Sequence, residues 1–296
     1  MSAPAEAPDI RRAALWMGGA ILSFTAMAVA GRAVQTELDT FELMLYRSLI
    51  GVVIVLAISS AAGTRGTIRL RRMGLHTARN LSHFLGQNCW FYAITVAPLA
   101  QVIALEFTSP LWIVLLAPLV LGERLTATRL VAVCGGLVGV MLVAQPWVGA
   151  PGPGLVFGAL AAVGFAGSAI LTKLLVRTES LTAILFWLTV MQSVFGLVMA
   201  GWDGEVAVPG PAILWAVGAV SVAGLTAHTC LTSALRIAPA SVVMPLDFLR
   251  LPLIALVGVA LYGERLDPWL VAGAALILGA NWVNLRSEAR VPARAS

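Results

Sequence analysis

The 296-residue chain is 59% hydrophobic and 11% charged, with a mean hydropathy of +0.93 and a net charge of +5. Soluble domains carry roughly a quarter charged residues, so a water-facing globule is excluded and lipid must be the solvent for much of the chain. The 19 Lys and Arg are scattered over separate loops, which argues against a nucleic-acid surface, where such residues gather on one module.

Arg11-Arg12 and the apolar run from Ala13 to Gly31 open the chain. With Ala28-Val29-Ala30 they imitate a signal peptide, but the remaining sequence is equally apolar, and the run reads as a first span with a positive flank. Continuing along the chain, ten helical spans are predicted over 13–34, 41–62, 76–96, 99–121, 126–144, 154–174, 181–201, 211–235, 240–262 and 267–285. Each approaches the roughly 20 residues that cross a bilayer as helix. Ala97-Pro98 separates the third span from the fourth, and the Pro/Gly cluster from Pro146 to Gly154 separates the two halves. Barrel strands are disfavoured, because they alternate polar and apolar residues. Cys89, Cys134 and Cys230 all fall within spans and read as packing residues rather than disulfides.

With a cytoplasmic N-terminus, ten spans place 15 of the 19 basic residues on cytoplasmic segments. The positive-inside rule therefore selects both termini inside. The expected divisions are a cytoplasmic tail 1–12, a five-helix unit 13–144, a periplasmic linker 145–153, a second unit 154–285 and a cytoplasmic tail 286–296.

The two units overlay at an offset of 141 residues without a gap: Ala93 to Leu125 matches Ala234 to Leu266 at 12 of 33 positions. Ala97-Pro98 meets Ala238-Pro239, Glu106-Phe107 meets Asp247-Phe248, and Gly-Glu-Arg-Leu recurs at 122–125 and 263–266. A unit of five spans enters the membrane from opposite sides in its two copies, so the fold class expected is an all-α integral membrane protein with a 5+5 inverted-topology repeat. Inverted repeats recur in secondary transporters, with the binding site near the midplane. These motifs resemble the EamA-type transporters of the drug/metabolite transporter superfamily, over about Ala13 to Leu285. The resemblance implies secondary transport of small metabolites, among them amino acids, nucleotide-like compounds, and vitamins such as riboflavin or S-adenosylmethionine. No ATP site is implied, and the sequence has no Walker-type Gly-Lys-Ser/Thr.

Ionisable groups inside a bilayer are costly and are functional candidates by default. Glu106 and Asp247 occupy matching repeat positions near Pro110, Pro245 and Pro252, where freed backbone can line a cavity. Arg250 follows Asp247 by three residues, either as its ion-pair partner or as a fork for a substrate carboxylate or phosphate. Arg47, opposite Leu188 in the repeat, is open to three readings: neutralising Glu106 or Glu42, contacting substrate, or snorkelling. In span three, His83, Gln87 and Trp90 share a face, and His228 matches Gln87 in the second unit. Such groups line a cavity or join helices by hydrogen bonds. Tyr46 and Trp187 correspond across the repeat and suit either stacking on a planar substrate or anchoring at an interface. Glu123-Arg124 and Glu264-Arg265 read as helix-end pairs, and the Gly pairs 135/139 and 154/158 as close-packing steps.

The function expected is secondary transport of a small amphoteric metabolite, amino-acid-like or nucleoside- or vitamin-like, by alternating access, with proton coupling as an addition. The expected partners are that metabolite, the bilayer of a bacterial inner membrane and, where transport is coupled, protons. A monomer or homodimer is expected, with no cofactor, metal or nucleic acid. The alternatives are a scaffold or receptor, which would want larger loops or soluble domains, and a membrane enzyme. Against an enzyme, the acids are isolated and hydrolase and metalloenzyme motifs are missing.

Overall fold

The computed structural model describes residues 10–121, 127–145, 152–175, 177–237, 246–247 and 249–289. Among these every regular element is a helix. The α-helices are α1 (Ile10–Val34), α2 (Thr40–Ala61), α3 (Met73–Val96), α4 (Leu99–Glu106), α5 (Ser109–Leu121), α6 (Ala127–Ala144), α7 (Pro153–Leu175), α8 (Leu181–Ala200), α9 (Leu214–Ile237), α10 (Arg250–Tyr262) and α11 (Pro268–Ala289), with a short 3₁₀ turn at Arg65–Thr67. Among the described residues six helical stretches are long and apolar enough to cross a membrane, and further apolar helices such as Arg250–Tyr262 are shorter. Glu123-Arg124 and Ala238-Pro239, expected to mark helix ends, lie outside the described residues, as does most of the 145–153 linker.

Local chemistry sets several helix ends. Asp39 caps α2 by accepting from the backbone N–H of Phe41 and Glu42, while Glu42 accepts from Asp39 N at 2.9 Å, a reciprocal capping box. Ser180 caps α8 through Ala183 N. At the end of α3, Ala97 is extended because Pro98 follows it.

The helix ends repeat the sequence offset. Moving α3 and α5 by 141 residues reproduces both ends of α9 and of α10, and the end of α1 becomes the end of α7. The most extensive helix pairs cross between the halves: α1 with α9, α3 with α7, α2 with α8, and α6 with α11. Shifting α1·α9 by one half gives α7·α3, so these two pairs exchange under one operation. Glycines allow the closest approaches. A Cβ on Gly164 would meet Gly86 Cα at 2.7 Å, and one on Gly139 would meet Gly273 O at 2.8 Å. The predicted glycine steps serve this packing: Gly154 abuts Ala97, and Gly158 abuts Leu105.

The fourth predicted span is a broken helix. It stops at Glu106 and restarts at Ser109. Pro110 has no N–H to offer the Glu106 carbonyl, and Ser109 Oγ donates to that carbonyl instead at 2.6 Å. The carbonyl of Phe107, next along the gap, accepts from the fully buried Asn281 of α11 at 2.5 Å. On the second half Leu249 is likewise a turn, and α10 starts at Arg250, the counterpart of Ser109.

Candidate functional site

Glu106 closes α4, Asp247 lies just before the Leu249 turn, and Arg250 opens α10. Their positions beside helix ends bring the three side chains together. Arg250 Nη2 donates to Glu106 Oε1 at 2.8 Å and to Asp247 Oδ2 at 3.0 Å. The second oxygen of Glu106 accepts from Trp90 Nε1 at 2.8 Å, so an indole of α3 fixes the carboxylate that bridges the halves. The guanidinium lies over the rings of Phe24 and Phe107, with ring centres 4.8 and 5.0 Å from Arg250 Cζ. Such stacking is favourable in desolvated sites. Among the described residues, Asp247 Oδ1 and Arg250 Nε are buried without a hydrogen-bond partner.

Phe24 connects this cluster to a second polar group. Its ring also meets the His228 ring at 5.5 Å, and His228 meets His83 at 6.1 Å. His83 and His228 line a cavity of about 40 Å³ together with Arg47, Thr189, Gln192 and Ser221. The Gln87 amide, oriented by its hydrogen-bonding surroundings, turns its oxygen to both terminal nitrogens of Arg47 and donates its nitrogen to Gln192 Oε1 at 2.9 Å. A volume of this size has room for a water molecule and is too small for a metabolite. A larger cavity of about 440 Å³, between α4, α10 and α11, is lined only by Ala, Leu, Val and Pro and offers no group to orient a polar ligand.

Eight of the ten predicted site residues therefore meet: Glu106, Asp247, Arg250 and Trp90 in one cluster, and Arg47, His83, Gln87 and His228 in the other. Tyr46 and Trp187 stand apart. Tyr46 Oη donates to the Ala207 carbonyl at 2.8 Å, and Trp187 Nε1 donates to the Arg69 carbonyl at 3.0 Å, each tying a loop to a helix. Arg47 neutralises neither acid considered for it. Glu106 is held by Arg250, and Glu42 accepts from Asp39 N and Ala207 N. Arg250 is held by Asp247 and Glu106 together, so of its two readings the ion pair is the one observed.

Sequence reasoning missed Phe24, Gln192 and Arg79. Arg79, counted with the cytoplasmic charges, is 8% exposed and donates to Thr172 Oγ1 and Asn80 Oδ1 at 3.0 and 2.8 Å. Its signal was available in Asn80, a second polar residue one position further into an apolar span. Glu264 also does more than end a helix. Its Oε1 pairs with Arg32 Nη1 at 2.7 Å, and its Oε2 accepts from Leu99 N at 2.9 Å. Among the described residues no group of three or more His, Cys, Asp or Glu is placed to hold a metal ion.

The sequence pattern of the EamA-like transporter family matches twice, over residues 11–145 and 152–286. Among curated relatives, a riboflavin transporter of Brucella anthropi is 29% identical over 92% of this chain and 98% of its own. A riboflavin transporter of Rhizobium johnstonii is 34% identical over 75% of this chain and 76% of its own. An S-adenosylmethionine uptake transporter of Rickettsia felis is 26% identical over 94% of each. One solved crystal structure superposes with a TM-score of 0.65, covering 95% of this chain and 99% of the other at 21% identity, a likeness of fold.

Proposed function

We propose that this chain, which belongs to the EamA-like transporter family, is a secondary transporter that carries a small amphoteric organic metabolite across a bacterial inner membrane by alternating access. The observation that carries the reading is the Glu106–Arg250–Asp247 cluster, with Arg250 and Asp247 buried and Glu106 half-buried where the two halves meet in a strongly apolar helical chain. Charge at that depth is costly and persists where it meets substrates or ions. The broken helix beside it, α4 and α5, supplies backbone that can bend and line a path. Five spans per half, with both termini cytoplasmic, make the second half an inverted copy of the first. Two near-equivalent halves then exchange between inward-open and outward-open forms of similar energy.

Relatives named for riboflavin and for S-adenosylmethionine make these the first substrates to try. Purified protein in proteoliposomes is expected to give saturable uptake and exchange of at least one of them, or of another amphoteric metabolite from a broad panel. Glu106→Gln and Asp247→Asn should insert and fold yet transport poorly. Normal transport by both variants across pH would remove the acids from the mechanism, and no exchange with any compound of the panel would remove the transporter reading. Uptake that is unchanged by an imposed pH gradient would remove proton coupling alone.

A further inference from the structure

Arg250 was the natural place for a substrate anion, and its charge is already taken. It serves Glu106 and Asp247 together, so with all three groups ionised the cluster carries one surplus negative charge. The balancing charge lies beyond Phe24 and the two histidines, at Arg47. Among the described residues no carboxylate comes within ion-pair distance of Arg47. Its neighbours are the Gln87 amide oxygen and the Met44 thioether, the latter 3.7 Å from Nη1. A guanidinium has five N–H donors in a planar fork, and among the described residues these two acceptors take three of them, leaving Nε and one N–H of Nη2. Gly224 keeps the space clear, because a Cβ there would stand 2.7 Å from Arg47 Nη2. At the other end, Asp247 Oδ1, on a residue 8% exposed, is an acceptor without a partner among the described residues.

The site thus holds two unfilled groups of opposite sign on either side of an aromatic partition. We infer that Arg47 is the anion-binding point of the transport site, taking the carboxylate of a zwitterionic metabolite whose cationic group faces Asp247 and Glu106. This rests on the transporter reading and adds the orientation of the cargo. A planar fork matches a carboxylate in two parallel hydrogen bonds, and an uncompensated cation in a low-dielectric interior is relieved by such a partner. Gln87, itself bonded to Gln192, accepts from both terminal nitrogens of Arg47, so the edge of the fork left to a carboxylate is the one formed by Nε and Nη2. The histidines and hydroxyls of the cavity complete a polar lining that tolerates water before the substrate arrives.

Matched pairs test the assignment. Thermal stabilisation and competition of uptake are measured with S-adenosylmethionine against its decarboxylated form, tryptophan against tryptamine, and riboflavin and flavin mononucleotide alongside. The acid member of at least one pair is expected to bind more tightly than its amine. Arg47→Gln is expected to lose about 10- to 100-fold in affinity for that acid, the range for a hydrogen bond to a charged group, while the amine changes less than twofold. Arg47→Lys, which keeps the charge without the fork, should fall between. Amines that bind as well as acids overturn the inference, as does a carboxylate preference that survives Arg47→Gln. Binding of flavin mononucleotide with no response to any carboxylate would give the position to phosphate and also overturn it. Transport of riboflavin alone sinks the assignment and leaves the transporter standing; no transport of any compound sinks the transporter reading itself.

Discussion

Arg250 is shared by two carboxylates from different halves, 2.8 and 3.0 Å away, and its structural and transport roles can be separated. Arg250→Met strands the buried Asp247 and the half-buried Glu106 without a cation, and the expected loss is about 3–5 kcal/mol, as for a broken buried pair. The triple variant Glu106→Gln, Asp247→Asn, Arg250→Met removes all three charges at nearly constant volume and should recover most of that stability, because fully uncharged replacements of buried ion pairs are often neutral or better. Thermal unfolding in detergent reads the first effect and proteoliposome uptake the second. A stable triple variant that still transports would reduce the cluster to a helix clamp. The acids and Arg250 were legible in the sequence because charge stands out against lipid. Their partition was not. Spacing pairs Arg250 with Asp247, but the bond to Glu106 exists only once α10 packs on α4, and Phe24 carries no mark that distinguishes it from any other apolar residue in α1.

At the scale of the helix, the gap between α4 and α5 is the element whose chemistry changes most along its length. Pro110 announced it in the sequence, and the identical helix starts at Ser109 and Arg250 follow the 141-residue register. What holds the gap was hidden, because Asn281 sits in α11, far along the chain, and looks like one polar residue near the end of a span. Its amide fills the Phe107 carbonyl that the break leaves open. Asn281→Leu should cost about 1–3 kcal/mol, the loss of a hydrogen bond to a buried group, and should slow transport more than it weakens substrate binding, since its hydrogen bond goes to the hinge backbone and not to a polar or charged side chain of the site. A lower unfolding midpoint with a reduced maximal rate and an unchanged half-saturation concentration is the expected outcome. An unchanged rate would mean the gap is held open by Pro110 and Ser109 alone.

At the scale of the molecule, a network around Arg32 and Glu264 ties together the ends of several helices. Arg32, in the last turn of α1, pairs with Glu264 at 2.7 Å, donates to the Ile94 and Ala97 carbonyls at 2.5 and 2.8 Å, and lies 4.3 Å from the Tyr262 ring centre. Glu264 is aimed there by Gly263, which ends α10 in a left-handed conformation at φ 64°, a backbone state that glycine adopts without penalty. On the proposed topology this is the outer face, and the network closes it. The 141-residue register carries Arg32 to Lys173 and Glu264 to Glu123; Glu123 lies outside the described residues, and its correspondence follows from the register alone. If the halves trade roles, the second pair closes the inner face when the first opens. A ligand or substitution shifts such an equilibrium only through its differential effect on the two states, and a difference of about 1–2 kcal/mol moves the ratio about 5–30-fold. Ala28, one turn below Arg32 in α1, is 1% exposed. As the only cysteine in the chain, Ala28→Cys should react slowly with a membrane-impermeant maleimide added from outside. Glu264→Gln should raise that rate about 5–30-fold by favouring the outward-open form, and Glu123→Gln should lower it. Two variants that move the rate in the same direction would show that the pairs are local fasteners rather than opposed closures of one two-state molecule.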